Sequence, residues 1–455
     1  MSSGHDIEKA VPTSRMPSQL DDISVSGGED AVNQAEEEFQ PPDGGLVAWS
    51  QVLAGIFINM MAWGYPSTFG VYQLYYRDTL KLPEAQISWI GSLQVFLAFA
   101  MCTFSGRLAD AGYVKSTIIV GSLMVVFGTF MTSLCTEYWQ IFLAQGLCTG
   151  LGLGIIFMPP LSVINSYFVT KRSSALAISA TGTGLGSVIF PATIQYLIPR
   201  IGFPWAVRCA AFVALFVSMV SVLMLKPKLK PRKSGPIIEW DAFKEGPYLL
   251  YMLGGFLFFW ALYFGFFYVS MLTGPLESAK AYYSQINAYA RNVIHFSTTD
   301  SVQLLLITNG MSVPSRPVTG YLADRYFGPI NLYAFQTLVM GCLIFAWTGV
   351  TTRTGMYVFS VFFGLSVGAA QGLFAGSLAS LTKDPRKMGT RFGMVCTVVA
   401  FASLAGPPTA GAIIDKSGGR YLWAQIWAGI VIVLASVMFA ATRCAVVGFK
   451  LWVKI

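Results

Sequence analysis

GRLAD, residues 106–110, returns as GYLAD at residues 320–324, a separation of 214 positions. Two further pairs share nearly the same offset. GLCTGLGLG at 146–154 and GLSVGAAQG at 364–372 place glycines at matching positions 218 apart, and Pro191 and Pro407 lie 216 apart. One such match is within reach of chance; three at nearly one offset mark a duplicated unit.

The chain around these motifs is almost empty of charge. Runs without Asp, Glu, Lys or Arg cover 44–76, 85–106, 116–136, 138–170, 173–199, 247–276, 326–352, 354–382, 392–414 and 421–442. A bilayer core needs about 20 residues of helix, and each of these runs is long enough. Residues 205–225, with Arg208 near one end, and 301–322, with Arg316, bring the number to twelve. Backbone polar groups in lipid must be satisfied within the segment, and so strong an apolar signal favours helices over barrel strands. The expected fold is therefore an all-α membrane protein: twelve transmembrane helices in two pseudo-symmetric six-helix bundles. Composition agrees, with 54% apolar, 14% aromatic and 11% charged residues, against roughly 25% charged in a soluble domain.

Residues 1–42 read as a disordered acidic cytoplasmic tail, with no signal peptide ahead of the first span. An N-terminal bundle over 43–225, a cytoplasmic linker over 226–246 that is partly helical along EWDAFKEG, a C-terminal bundle over 247–441 and a short cytoplasmic tail over 442–455 follow. One long outer loop, 272–300, interrupts the second half and is open to a role as a lid. With both termini inside, 20 of the 30 Lys and Arg face the cytoplasm and 9 face outward, Arg316 remaining in the membrane. This is the positive-inside pattern, so the net charge of +8 carries no implication of nucleic acid.

Enzyme chemistry has little to stand on. Seven cysteines lack metal-ligand spacing, and the two histidines, His5 and His295, fall in a tail and a loop, so no metal, cofactor or catalytic residue is expected. TGTGLG at 181–186 lies inside a span and lacks the Lys-Ser/Thr of a phosphate loop. The glycines at 146, 150 and 154, and at 364, 368 and 372, recur every four residues and read as close-packing helix faces.

Arg316 stands eight residues before Asp324, about 12 Å along a helix and near the midplane of the membrane. Burying a charge there costs several kcal/mol unless it is paired or hydrated, yet no acidic residue falls in the core of any span. Its partner is then the substrate, the alternative being a side chain that snorkels to the interface. Asn309, Ser312, Arg316 and Gly320 form one polar stripe; Asn59, Trp63 and Ser67 have similar spacing in the first span. With Tyr65, Tyr263, Tyr268 and Gln371 these residues are candidates to line a pathway for a substrate with an apolar or ring-shaped body. Gly106 and Asp110, with Lys115 beyond them, and Gly320, Asp324 and Arg325 occupy matching turns. They are candidate gates: a carboxylate there can pair with an arginine or with the N-terminus of a neighbouring helix.

PPDGGLVAW at 41–49 resembles the first-span signature of the monocarboxylate porter family within the major facilitator superfamily. NSYFVTKRSSALAISATGTGLG at 165–186 resembles that family's fifth-span motif, and GRLAD and GYLAD the superfamily's short loop motif. The acidic tail, NGMSVPSRP and GYLADR resemble its fungal branch. The resemblance spans about 41–441 and implies the major facilitator fold and transport of monocarboxylates, often with a proton. In animal members an eighth-helix arginine binds the carboxylate, and Arg316 stands at that position. Their aspartate one turn earlier is Ser312 here and their first-helix lysine is Ser67, so their proton-linked residues are not shared. Fungal relatives include riboflavin carriers, organic acid carriers and exporters encoded beside biosynthetic genes.

Together these readings give a secondary active carrier of a monocarboxylate or larger organic acid, working by alternating access between two halves in the plasma membrane. Export of a fungal secondary metabolite, riboflavin-type import and a non-transporting sensor that signals through its tail stay open, as does a co-transported proton.

Overall fold

The computed structural model describes residues 42–228, 232, 235–266, 298–382, 384–448 and 453. The acidic tail, most of the outer loop and Tyr268 lie outside the described residues. Among those described, every regular element is helical. The first half comprises α1 (Leu46–Asp78), α2 (Glu84–Ala100), α3 (Cys102–Asp110), α4 (Val114–Thr132), α5 (Tyr138–Ile141), α6 (Gly150–Tyr167) and α7 (Arg172–Met224), with a π-helical turn, Phe142–Thr149, joining α5 to α6. A 3-10 turn, Trp240–Lys244, occupies the linker where a partly helical stretch is expected. The second half comprises α8 (Gly246–Phe266), α9 (Thr298–Leu322), α10 (Pro329–Trp347), α11 (Arg353–Leu381), α12 (Met388–Lys416) and α13 (Leu422–Val447).

Nine of the described helical stretches are long and apolar enough to cross a membrane, against the twelve spans expected. The 53 residues of α7, at about 1.5 Å each, would far exceed a bilayer of roughly 30 Å. They are two helices in continuity, broken at Gly202, whose φ of 77° and ψ of 163° no helix contains. Both expected runs, 173–199 and 205–225, fall within it. Within helix α8 the apolar stretch Gly246–Leu262 is shorter than the nine. Helix α9 has Thr308, Asn309, Ser312, Ser315, Arg316 and Thr319 all buried, so its polarity faces the protein.

Small residues set the spacing between helices, as they must where lipid provides no hydrophobic drive and contact does the work. A Cβ on Gly182 or Gly186 of α7 would run into the carbonyl of Ile56 or Met60 on α1. Gly364, Gly368 and Gly372 bring α11 against Thr308, Ser312 and Arg316 of α9, and Gly146, Gly150 and Gly154 press against α2 and the start of α3 in the same way. The duplicated glycine ladders thus perform the same packing in each half. Across the midline, α3 and α2 pack on α12, while α9 and α11 pack on α7. Large apolar side chains such as Phe127, Phe212, Phe216 and Met219 remain exposed on the periphery, where lipid would cover them.

Candidate substrate site and end latches

The two halves enclose a cavity of about 110 Å³ whose wall includes Asn59, Trp63, Ser67, Asn309, Arg316 and Gln371. These six candidates come from α1, α9 and α11. Tyr65 is buried and donates to the Ala210 carbonyl instead. The side chain of Tyr263, like Tyr268, lies outside the described residues.

Arg316 is 1% exposed, which rules out snorkelling in this conformation. Its Nη2 donates to Gln371 Oε1 at 2.7 Å and its Nη1 reaches Ser312 Oγ at a long 3.4 Å, while Nε has no hydrogen-bond partner. Among the described residues no carboxylate pairs with it. Gly372 and Gly184 make room for it: a Cβ at Gly372 would sit 3.1 Å from Arg316 Cγ, and one at Gly184, on the opposite half, 3.1 Å from Nη1. Asn59 donates to the Gly55 carbonyl and to Ser179 Oγ, and Ser67 and Ser187 share a 2.7 Å hydrogen bond. The Asn59–Ser179 and Ser67–Ser187 bonds tie α1 to α7 while keeping polar atoms on the cavity wall.

Facing this polar side is an arc of rings. Trp63 meets Phe99 at 4.7 Å and Phe157 at 5.3 Å between centroids; Phe99 meets Phe259 at 5.5 Å, Phe259 meets Phe374 at 5.1 Å, and Phe374 meets Phe392 at 5.1 Å. The arc crosses from the first half to the second. The five phenylalanines, with Thr183, Gly184, Ser187 and Gly372, were not legible as wall residues in a chain of 34 Phe and 45 Gly. The one available hint was TGTGLG, in which Gly182 and Gly186 serve packing and Gly184, between them, points across the interface.

At the end of the molecule where residues 110, 172, 324 and 388 gather, two carboxylates bridge the halves. Asp110, closing α3, accepts from Gly389 N at 3.0 Å and from Thr390 N and Oγ1, each at 2.7 Å. Asp324, beyond α9, accepts from Ser173 N at 3.0 Å, Ser174 N at 2.7 Å and Ser174 Oγ at 2.6 Å. Each caps the first turn of a helix in the other half, where orphan N–H groups and the helix dipole favour an anion. The neighbouring glycines permit the approach: a Cβ on Gly106 would run into the carbonyl of Gly389, and one on Gly320 would lie 2.7 Å from Ala177 Cβ. Arg325 is exposed and donates to the Tyr321 hydroxyl on its own side. The guanidinium that reaches across is Arg172, whose Nη1 donates to the Ala379 carbonyl at 3.3 Å.

Both latches have braces. Asp43 of the PPDGG stretch, with φ of 46°, accepts from Val169 N and Thr170 N just ahead of α7. On the Asp110 side the linker does the bracing. Arg107 donates to the carbonyls of Arg232 and Gly235, Arg232 N donates to the Asp110 carbonyl, and Glu239 and Glu245 pair with Lys387 and Arg391 at the start of α12.

A buried, charged cavity shared by two related halves and bridged at one end by reciprocal helix caps is the arrangement of a secondary transporter. Residues 52–407 match the Major Facilitator Superfamily, and the chain belongs to that family. It is 37% identical over 432 residues to an MFS-type transporter of Gibberella zeae, covering 94% of each chain. It is 33% identical over 408 residues to the aspyridones efflux protein apdF of Emericella nidulans, covering 89% of this chain and 79% of that one. In fold it resembles the crystal structure of the human organic anion transporter MFSD10 (TETRAN), with a TM-score of 0.66 and 14% identity over 88% of this chain and 100% of that chain. The protein is an integral membrane carrier of a small organic substrate.

Proposed function

We propose that this carrier exports an amphipathic organic anion, a carboxylic or similarly acidic metabolite with a planar apolar body, from the cytoplasm across the plasma membrane. The observation that carries this reading is Arg316: buried, held by the neutral Gln371 and Ser312, and left with an unpartnered Nε at a cavity shared by both halves. A charge so placed costs several kcal/mol without a counter-ion, and an anionic substrate supplies one. Asn59, Trp63, Ser67, Asn309 and Gln371 would orient the ligand, with the aromatic arc contacting its rings through dispersion and edge-to-face contacts. Tyr263 and Tyr268 are retained as candidates for the same lining. The efflux name of one relative supports the outward direction, and PPDGGLVAW together with Arg316 supports the finer monocarboxylate-porter assignment.

In this reading twelve spans form two six-helix bundles, 43–225 and 247–441, with the linker and both termini in the cytoplasm. The Asp110 and Asp324 caps, with Gly106 and Gly320, form the cytoplasmic gate, flanked by Arg325. They break when the bundles rock to open the cavity inward. The reading is tested in vesicles containing the purified protein, with efflux of a panel of labelled aromatic and aliphatic acids, riboflavin and neutral analogues. Saturable flux of an acid that Arg316→Ala abolishes at equal protein level is the expected result. Undiminished flux in that variant, or selective flux of a neutral analogue, would overturn the anion site.

A further inference from the structure

We infer that the central site holds one fixed positive charge throughout the cycle, so that export of a monoanion is electrogenic and proceeds without a proton relay. This inference rests on the anion-carrier reading and adds its energy source. Among the described residues of the cavity wall, Arg316 alone is ionisable. Among the described residues, no titratable side chain of α1, α2, α6, α7, α8, α11 or α12 reaches that wall, and the two partners of the guanidinium are an amide and a hydroxyl. Neither gains or loses a proton in the physiological range. The buried carboxylates Asp110 and Glu239 and the half-buried Asp324 stand at the latch end. There they accept from backbone amides and hydroxyls of the opposite half, or from Lys387. They belong to the gate and do not line the cavity that holds the guanidinium.

The consequence follows from charge balance. With a monoanion bound the site is neutral, and its passage across the membrane is insensitive to the field. Without substrate the site carries one positive charge. An inside-negative potential then favours the inward-open form of the substrate-free carrier. The field thus drives the return step, and each turnover exports one negative charge. A potential of about 60 mV supports a roughly tenfold concentration ratio of a monovalent ion.

The test begins without substrate. The purified full chain in vesicles on a solid-supported membrane is given a saturating voltage step, and the total charge displaced is recorded at about pH 5.5 and about pH 7.5, a window that spans histidines and carboxylates raised by burial. Displacement of equal size at both pH values, retained in Arg316→Lys and absent in Arg316→Gln, is expected. Equal displacement in Arg316→Gln, a strong pH dependence, or no displacement by well-folded protein would overturn the inference. A second measurement uses 1-naphthoate, a fused-ring monoanion, with potentials set by valinomycin and potassium. Efflux should rise about fivefold or more under a roughly hundredfold potassium gradient. Flux of 1-naphthoate driven by a pH gradient and indifferent to potential would overturn electrogenic export while leaving the anion carrier in place. Intact charge displacement without any acid flux would support the fixed charge and count against the substrate reading.

Discussion

Arg316 uses two of its five donors on protein partners, which leaves the guanidinium fork free to grip a carboxylate with two parallel bonds. Lysine at this position keeps the charge and loses the fork. Arg316→Lys should therefore raise the half-saturating concentration for the acid by about tenfold, an effect of about 1.4 kcal/mol, whereas Arg316→Ala should abolish saturable flux. Initial-rate measurements over a range of acid concentrations distinguish the two. Gln371→Glu tests the neighbour. A carboxylate placed 2.7 Å from Nη2 would neutralise the site from within, so anion flux should fall at least about tenfold at neutral pH. The sign of the pH response is fixed: acid protonates the new glutamate, restores a neutral partner, and should relieve the loss. Flux that rises with pH instead would mean that Gln371 does not face Arg316 in the transport cycle.

At the scale of helices, the two latches are N-caps exchanged between halves. Asp110→Asn or Asp324→Asn keeps an acceptor but removes the charge that favours the helix terminus, worth about 1 kcal/mol. Each should shift the gate toward its open form by about fivefold, and the double variant by about 25-fold if two latches without a shared residue add. Cys102 and Cys396 are buried at this interface, so their rate of alkylation by a maleimide reports the opening. A double variant no faster than the wild type would show that the caps do not hold the gate. The charge-free runs made the helices legible in the sequence, including the division of α7, because length and apolarity are local properties. Asp110 and Asp324 were legible through duplication. Their partners were not, since the donors are backbone N–H groups of residues 173, 174, 389 and 390, which leave no mark in side-chain pattern. Arg316, Asn309 and Gln371 were readable as polar residues in apolar runs. Phe99, Phe259 and Phe374 look like any other lipid-facing ring until helix rotation and the meeting of the halves are known.

For the molecule as a whole, the duplication places equivalent devices on both sides of one cavity, as rocking between two states requires. Cys102 on α3 and Cys396 on α12 are free and buried where the halves meet, and a Cβ on Gly393, one turn before Cys396, would run into the Cys102 carbonyl. Oxidation with copper phenanthroline should join them, remove two free thiols and stop flux until dithiothreitol is added. Cys102→Ala should be immune. Continued flux through the crosslinked protein would exclude separation of α3 and α12 as part of transport. The central claim, that an acid sits on Arg316 between the halves, is tested most directly by equilibrium binding. The acid with the highest flux in the vesicle panel would be titrated into detergent-solubilised wild type, Arg316→Lys and Arg316→Gln, each verified as monodisperse, with heat as the readout. The account predicts one saturable site in the wild type, affinity about tenfold weaker in the lysine variant, and no binding in the glutamine variant. Equal affinity in all three proteins would contradict it.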